Sequence, residues 1–154
     1  MSDKVKLFEI QSIPDLDPAS TLIAEAKGAD SLSSNLSGSD NPAYGMYGFE
    51  EIVSGSANML PNWGYIANNA SPVNLTLPVI CDFGKRIIVT GKGAGGWAIL
   101  QGAGQQIIFG HTQTTAGSGG SLESTEQYDA VELLCIQANT LFLVMASVGN
   151  IAVY

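Results

Sequence analysis

The chain has 154 residues, is 45% hydrophobic but only 13% charged, and carries a net charge of −8. That length suits one domain, or one small domain with an appended segment. With six Lys and Arg against fourteen Asp and Glu, phosphate neutralisation on nucleic acid and docking to an anionic membrane are both disfavoured.

The charged fraction is about half the quarter usual for soluble domains. Either Ser, Thr, Asn and Gln wet the surface, or much of it is covered by other copies. The longest apolar run, Leu141 to Ala146, is too short to span a bilayer, so no membrane insertion is expected. Met1 to Ile10 carries Asp3, Lys4, Lys6 and Glu9 and does not read as a signal peptide, so synthesis in a cytoplasm is expected. Cys81 and Cys135 lie in or beside apolar runs and read as buried thiols, too few for a zinc site or a disulfide framework.

In chain order, Val5 to Ile10 can form a strand, and the prolines of Ile13–Pro18 forbid a central one. Gly28 to Pro42 reads as loop, and Phe49 to Val53 as a short helix or turn. Residues 1–57 are expected to be a loop-rich attachment segment and residues 58–154 a β-domain. Val73, Leu75 and Leu77 alternate cleanly, and Pro78 ends that run. Ile87 to Thr90 leads into Gly91-Lys92-Gly93-Ala94-Gly95-Gly96, and Trp97 to Gln101 follows. The glycines fit a dinucleotide fingerprint, but that fingerprint needs a helix next, and Trp97–Leu100 is strand-like. They are expected to be corner residues. Gln105 to Phe109 is another strand, His111 to Ser121 a polar loop, and Ala130–Gln137, Thr140–Ser147 and Ile151–Tyr154 the last strands. Leu141 to Met145 is apolar on both strand faces, and Leu133 to Ile136 nearly so. That pattern fits a sandwich centre or a subunit interface.

Two stretches resemble bacteriophage tail-fibre proteins. Ile10-Gln11-Ser12-Ile13-Pro14-Asp15-Leu16-Asp17, Leu22-Ile23 and Tyr47-Gly48-Phe49-Glu50-Glu51-Ile52 are similar to a short module common in those proteins. More specifically, an ordered series over residues 62–154 resembles the C-terminal β-module of phage tail fibres and tailspikes. It runs through Gly91 to Trp97, Gln101 to Ile107, Phe109-Gly110, Thr114-Thr115, Gly117, Gly120 to Leu122, Ser124-Thr125, Tyr128 to Val131, Leu134-Cys135, Ala138 to Thr140 and Ser147 to Asn150. The series departs from the pattern at Gly102, where Asn is expected. The resemblance implies a homotrimer in the virion, made in the host cytoplasm, with residues 1–57 meeting other tail proteins. It also implies contact with a host surface glycan or receptor.

The expected fold is therefore all-β, a small antiparallel β-sandwich or β-prism-like knob. Leu133, Leu141, Phe142, Val144 and Met145 are expected at the subunit interface. Trp63, Tyr65, His111 and Gln113 are the candidate ligand contacts: aromatics that could stack on sugars, and polar residues of the recognition loop. For Trp63, Tyr65 and Trp97, core packing or a subunit seam is favoured over sugar stacking. Glu123, Glu126, Asp129 and Glu132 do not read as a facing carboxylate pair. No catalytic residue, metal or cofactor is expected. Two further readings stay open: a non-adhesive structural or capping protein of the virion, and a lectin-like bacterial module.

Overall fold

The computed structural model describes residue 46 and residues 48–154. The expected Val5–Ile10 strand, the Gly28–Pro42 loop and most of the attachment segment lie outside the described residues. Twelve strands follow in order: β1 (Gly48–Ile52), β2 (Ser56–Asn58), β3 (Trp63–Ala67), β4 (Val73–Thr76), β5 (Arg86–Gly91), β6 (Trp97–Leu100), β7 (Gln106–Phe109), β8 (Thr112–Gln113), β9 (Ser121–Ser124), β10 (Ala130–Gln137), β11 (Leu141–Val148) and β12 (Ile151–Val153). There is no helix among the described residues, and the all-β expectation holds.

The strands form two sheets. The larger has the order β1-β3-β5-β10-β11-β7-β8, the smaller β12-β9-β6-β4-β2. The first six strands alternate between sheets. A chain that crosses to the opposite sheet and then returns reverses twice, so successive strands of one sheet run parallel. Gly48, Trp63 and Ile87 share one register row at the start of β1, β3 and β5, and Ile52, Ala67 and Gly91 share the row at their far end. In the smaller sheet, Ser56, Asn74 and Ala98 align in the same way. The result is a flattened coil. The β10–β11 hairpin then fills the gap between β5 and β7.

This corrects the antiparallel expectation: both sheets are mixed. Parallel pairs join β1 to β3, β3 to β5, β7 to β11, β2 to β4 and β4 to β6. Phe49–Val53 is also corrected, from helix or turn to the edge strand β1. Its Phe49, Glu50 and Glu51 are all exposed, and only Ile52 is buried. An edge strand shows little alternation, and paired glutamates discourage further strand addition. The 57/58 boundary falls inside β2, so the β-body begins at Gly48.

One core joins the sheets. Tyr65, Ile87, Val89, Ile107, Leu133 and Phe142 from the larger sheet meet Val73, Leu75, Trp97, Ile99 and Leu122 from the smaller. Trp97 is the largest fully buried side chain, and its indole N–H donates to the Asp129 carbonyl at 2.8 Å. That bond lets a polar ring sit in the core without an unmet donor.

The glycine corner is the clearest case of sequence dictating structure. Corner 92–96 rests directly on corner 68–71, with Gly93 N–H donating to Ala67 O and Gly95 N–H to Asn69 O, both at 2.9 Å. A Cβ on Gly95 would lie within 3.0 Å of the Ser71 carbonyl group, and one on Gly93 equally close to Asn69 backbone. The glycines serve backbone-to-backbone stacking, with a strand following, as expected.

Candidate functional site

The strongest functional signal is the difference between the two outer faces. On the larger sheet, register places Phe49, Gly64, Ile88, Glu132 and Ala146 in one outward row. Glu51, Ile66, Thr90, Ala130 and Val148 form the next row. Arg86, Leu134, Leu143 and Ile108 form another. The Phe49 ring occupies the space a side chain on Gly64 would need. A shallow depression of about 170 Å³ lies among Ile88, Ala130, Glu132, Ala146 and Val148. The outward rows of the smaller sheet read differently: Ser56, Asn74, Ala98, Glu123 and Ala152, then Asn58, Thr76, Leu100 and Ser121. One face is dressed for water and the other is greasy.

The charges on the greasy face cancel in pairs. Arg86 Nε meets Glu132 Oε2 at 2.9 Å, and Lys92 Nζ meets Glu51 Oε1 at 3.3 Å. The Asn68 amide, and then Lys92, hold the Glu51 carboxyl below its ordinary value. In a chain of net charge −8, this face carries no net charge in those pairs to repel a second copy.

The structure divides the residues expected at a subunit interface. Leu133 and Phe142 are fully buried in the core of the single chain and offer no surface to a partner. Val144 packs against that core from its margin. Strand alternation is the reason: Val131, Leu133 and Cys135 face in, and Ala130, Glu132 and Leu134 face out. Leu141 is half-buried, and Met145, at the bulge opposite Glu132 and Leu133, is 55% exposed. The outward residues absent from that expected set are Ile66, Ile88, Ile108, Leu134 and Leu143. Their signal was the apolar residue on the polar phase of each alternating strand.

The candidate ligand contacts do not converge. Tyr65 is buried, and its hydroxyl accepts the Leu60 N–H at 2.7 Å, so it has no face to stack on a sugar. Burial pushes its phenol up. Trp63 is half-buried and lines a cleft of about 290 Å³ with Leu60, Pro61, Asn62 and Lys85. His111 and Gln113 are exposed on the β7–β8 hairpin. Five strand spacings separate β3 from β8, or roughly 24 Å. Glu132 and Glu123 lie on opposite outer faces, while Asp129 is buried. No group of three or more His, Cys, Asp or Glu suited to a metal occurs among the described residues.

A buried amide network was not legible as such. Gln101 Nε2 faces the carbonyls of Gln105, Thr115 and Gly117 at 2.8, 3.0 and 2.7 Å, and its Oε1 accepts from the Thr114 hydroxyl. Gln105 Nε2 donates to Pro78 O and Asn139 O, and Asn139 Oδ1 accepts from Cys81 N–H. These bonds pin loop 78–85, which holds Val79, Ile80 and Phe83 out in solvent.

The two cysteines are free and buried. Burial and then the adjacent Cys135 push the Cys81 thiol up to about 12. A thiol raised on folding contributes stability below its ordinary value of 9.0, and that contribution is lost as pH climbs from 9.0 towards 12. Denaturant midpoints should fall across that window and fall less in Cys81→Ala. An identical fall in both proteins would contradict the assignment.

No family model matches the chain, and no curated protein matches it. The residues that carry the tail-fibre resemblance can nonetheless be placed. Gly93, Gly95, Trp97, Gln101, Gln105, Thr114, Asp129 and Asn139 all stack corners, fill the core or satisfy buried backbone. They are scaffold residues.

Proposed function

We propose that this chain is a structural protein of a bacteriophage particle, a small fibre or spike. Three copies assemble around the outer face of the larger sheet, giving a prism-like knob that adheres to the bacterial surface. Residues before Gly48 join the chain to other tail proteins. The observation that supports this reading most is the apolar, charge-paired outer face beside a polar one on the same sandwich. The low charge and the ordered tail-fibre-like series support it further. A solvated monomer gains nothing from presenting Ile66, Ile88, Leu134, Leu143 and Ile108 together, whereas three copies remove that area from water.

Antibody labelling of purified particles tests the location: signal on the tail is expected, and its absence from particles contradicts the reading. For the assembly, Leu143→Glu puts a charge among Leu134 and Ile108 on this face. Desolvating that charge costs several kcal/mol per copy on association. The variant should be monomeric at micromolar concentration while keeping its β circular dichroism. An unchanged assembly would remove this face from the interface.

A further inference from the structure

We infer that the glycine-corner end of the sandwich holds a binding cleft for a neutral, hydroxyl-rich ligand, a single sugar ring. This rests on the adhesive reading above for its biological sense, and on the geometry below for its place.

A cleft of about 200 Å³ opens between Ala94, Gly95 and Gly96 of one corner and Ser124 to Gln127 of the segment after β9. That is below the roughly 300 Å³ at which drug-sized sites begin, and suits one ring. Its walls are fixed from behind. Asp129, itself buried, accepts the N–H groups of Thr125 and Glu126 on Oδ2 at 2.8 and 2.9 Å. Ser124 Oγ accepts Trp97 N–H at 2.8 Å and donates to Trp97 O at 3.2 Å. Gln127 Nε2 donates to Lys92 O at 2.7 Å. Gly95 has no room for a side chain, so backbone forms that wall. A preorganised wall loses little on binding.

The chemistry in front is acceptor-rich. The Glu126 carboxylate is exposed at the rim, and Thr125 Oγ1, which donates to Asn150 O at 2.8 Å, keeps lone pairs to accept with. The lining carries a carboxylate and no cation, which disfavours an acidic sugar. Carboxylate, amide and hydroxyl acceptors suit the paired hydroxyls of a neutral one. Position agrees. β1 begins in the Gly48–Trp63–Ile87 row, and the cleft lies beyond the opposite row at Gly91. The cleft is therefore at the opposite end of β1 from Gly48. The Trp63 cleft is at the near end.

The test is binding of the full chain to an array of bacterial surface oligosaccharides, with two variants at the rim. Ala94 and Glu126 are both exposed, so Ala94→Trp and Glu126→Ala should leave melting temperature and mass in solution unchanged. Wild type should retain one or more neutral oligosaccharides. Both variants should lose them by about tenfold or more, the scale of one charge-assisted hydrogen bond, and Lys85→Met beside Trp63 should not. Retention unchanged in both rim variants, loss in Lys85→Met alone, or no oligosaccharide retained by wild type overturns the inference. Failure of the assembly reading would appear separately, as a monomeric mass with sugar binding intact.

Discussion

Gly95→Ala is expected to lower stability by about 3 kcal/mol or more, at the upper end of overpacking costs, because the added methyl meets backbone. The Ser71 carbonyl it would strike belongs to the next corner of the coil, and corner 68–71 is held in place by β3 and β4 on either side. A flexible side chain could swing away; a stacked peptide cannot. The melting temperature should fall by more than about 10 °C, at 4–8 °C per kcal/mol for a domain near this size. Two other glycines calibrate the result. Gly104 has φ +79° with open space around it, so Gly104→Ala should cost only the backbone term, roughly 1 kcal/mol. Gly55 has neither a positive φ nor a neighbour within 4 Å, so Gly55→Ala should be neutral or stabilise by about 0.4–1 kcal/mol. Thermal melts of the three give the order directly. A Gly95 variant no worse than the Gly104 variant would mean that the corners do not stack as described.

Gln101→Leu carries the other large expected effect. The side chain is nearly isosteric, so the cavity term is small and the loss is polar. Gln105 O keeps a donor in Gly117 N–H, and Gly117 O keeps one in Gly120 N–H. The Thr114 hydroxyl can turn to the Ile107 carbonyl at 3.4 Å, whereas Thr115 O accepts only from Gln101 among the described residues. One unmet carbonyl and a longer, weaker Thr114 bond predict a loss of about 1–3 kcal/mol. Hydrogen exchange should quicken first across residues 114–120, while β5 and β10 stay protected up to global unfolding. Gln101→Glu should be worse at neutral pH, because a carboxylate would face three carbonyl oxygens with nothing to donate. It should recover on acidification, as the protonated form regains one donor. Equal protection in wild type and Gln101→Leu would show that the amide is not holding the loop.

How much of this was legible in the sequence depends on whether neighbours or distant partners decide a residue's state. The Val73–Leu75–Leu77 alternation, the breaker Pro78 and the corner glycines are local signals, and each led to the right element. Trp97 read as core or seam, and its burial and its bond to Asp129 O decide for core. β1 was misread because its exposure pattern depends on having a single neighbour, β3, and a lone strand does not declare how many neighbours it has. The parallel pairing was hidden for a related reason. Strands of either direction show the same side-chain period, and what sets direction here is which sheet each connection crosses to. Gln101 and Gln105 sit among glycines, in the composition of a solvated turn. Nothing local marks them as buried, since their partners lie in loops at 78, 114–117 and 139.

The doubly apolar hairpin was legible as a pattern and ambiguous as a meaning. Sandwich centre and subunit interface were posed as alternatives, yet the two phases of the same strands answer to different surroundings. The inward phase, Val131, Leu133, Cys135 and Phe142, is sealed within one copy. The outward phase, Leu134, Leu143 and the exposed Met145 and Val148, faces away from that core. Ile88, Leu134 and Leu143, not Phe142, are the apolar side chains a second copy could cover.

Sedimentation equilibrium of the full chain at micromolar concentration asks the most direct question of the proposed assembly. The expected mass is three times the 16.0 kDa of one chain, falling to a single chain in Leu143→Glu. A wild-type protein that sediments at 16.0 kDa throughout the concentration range would mean that water alone covers the greasy sheet, and the proposed assembly would be wrong.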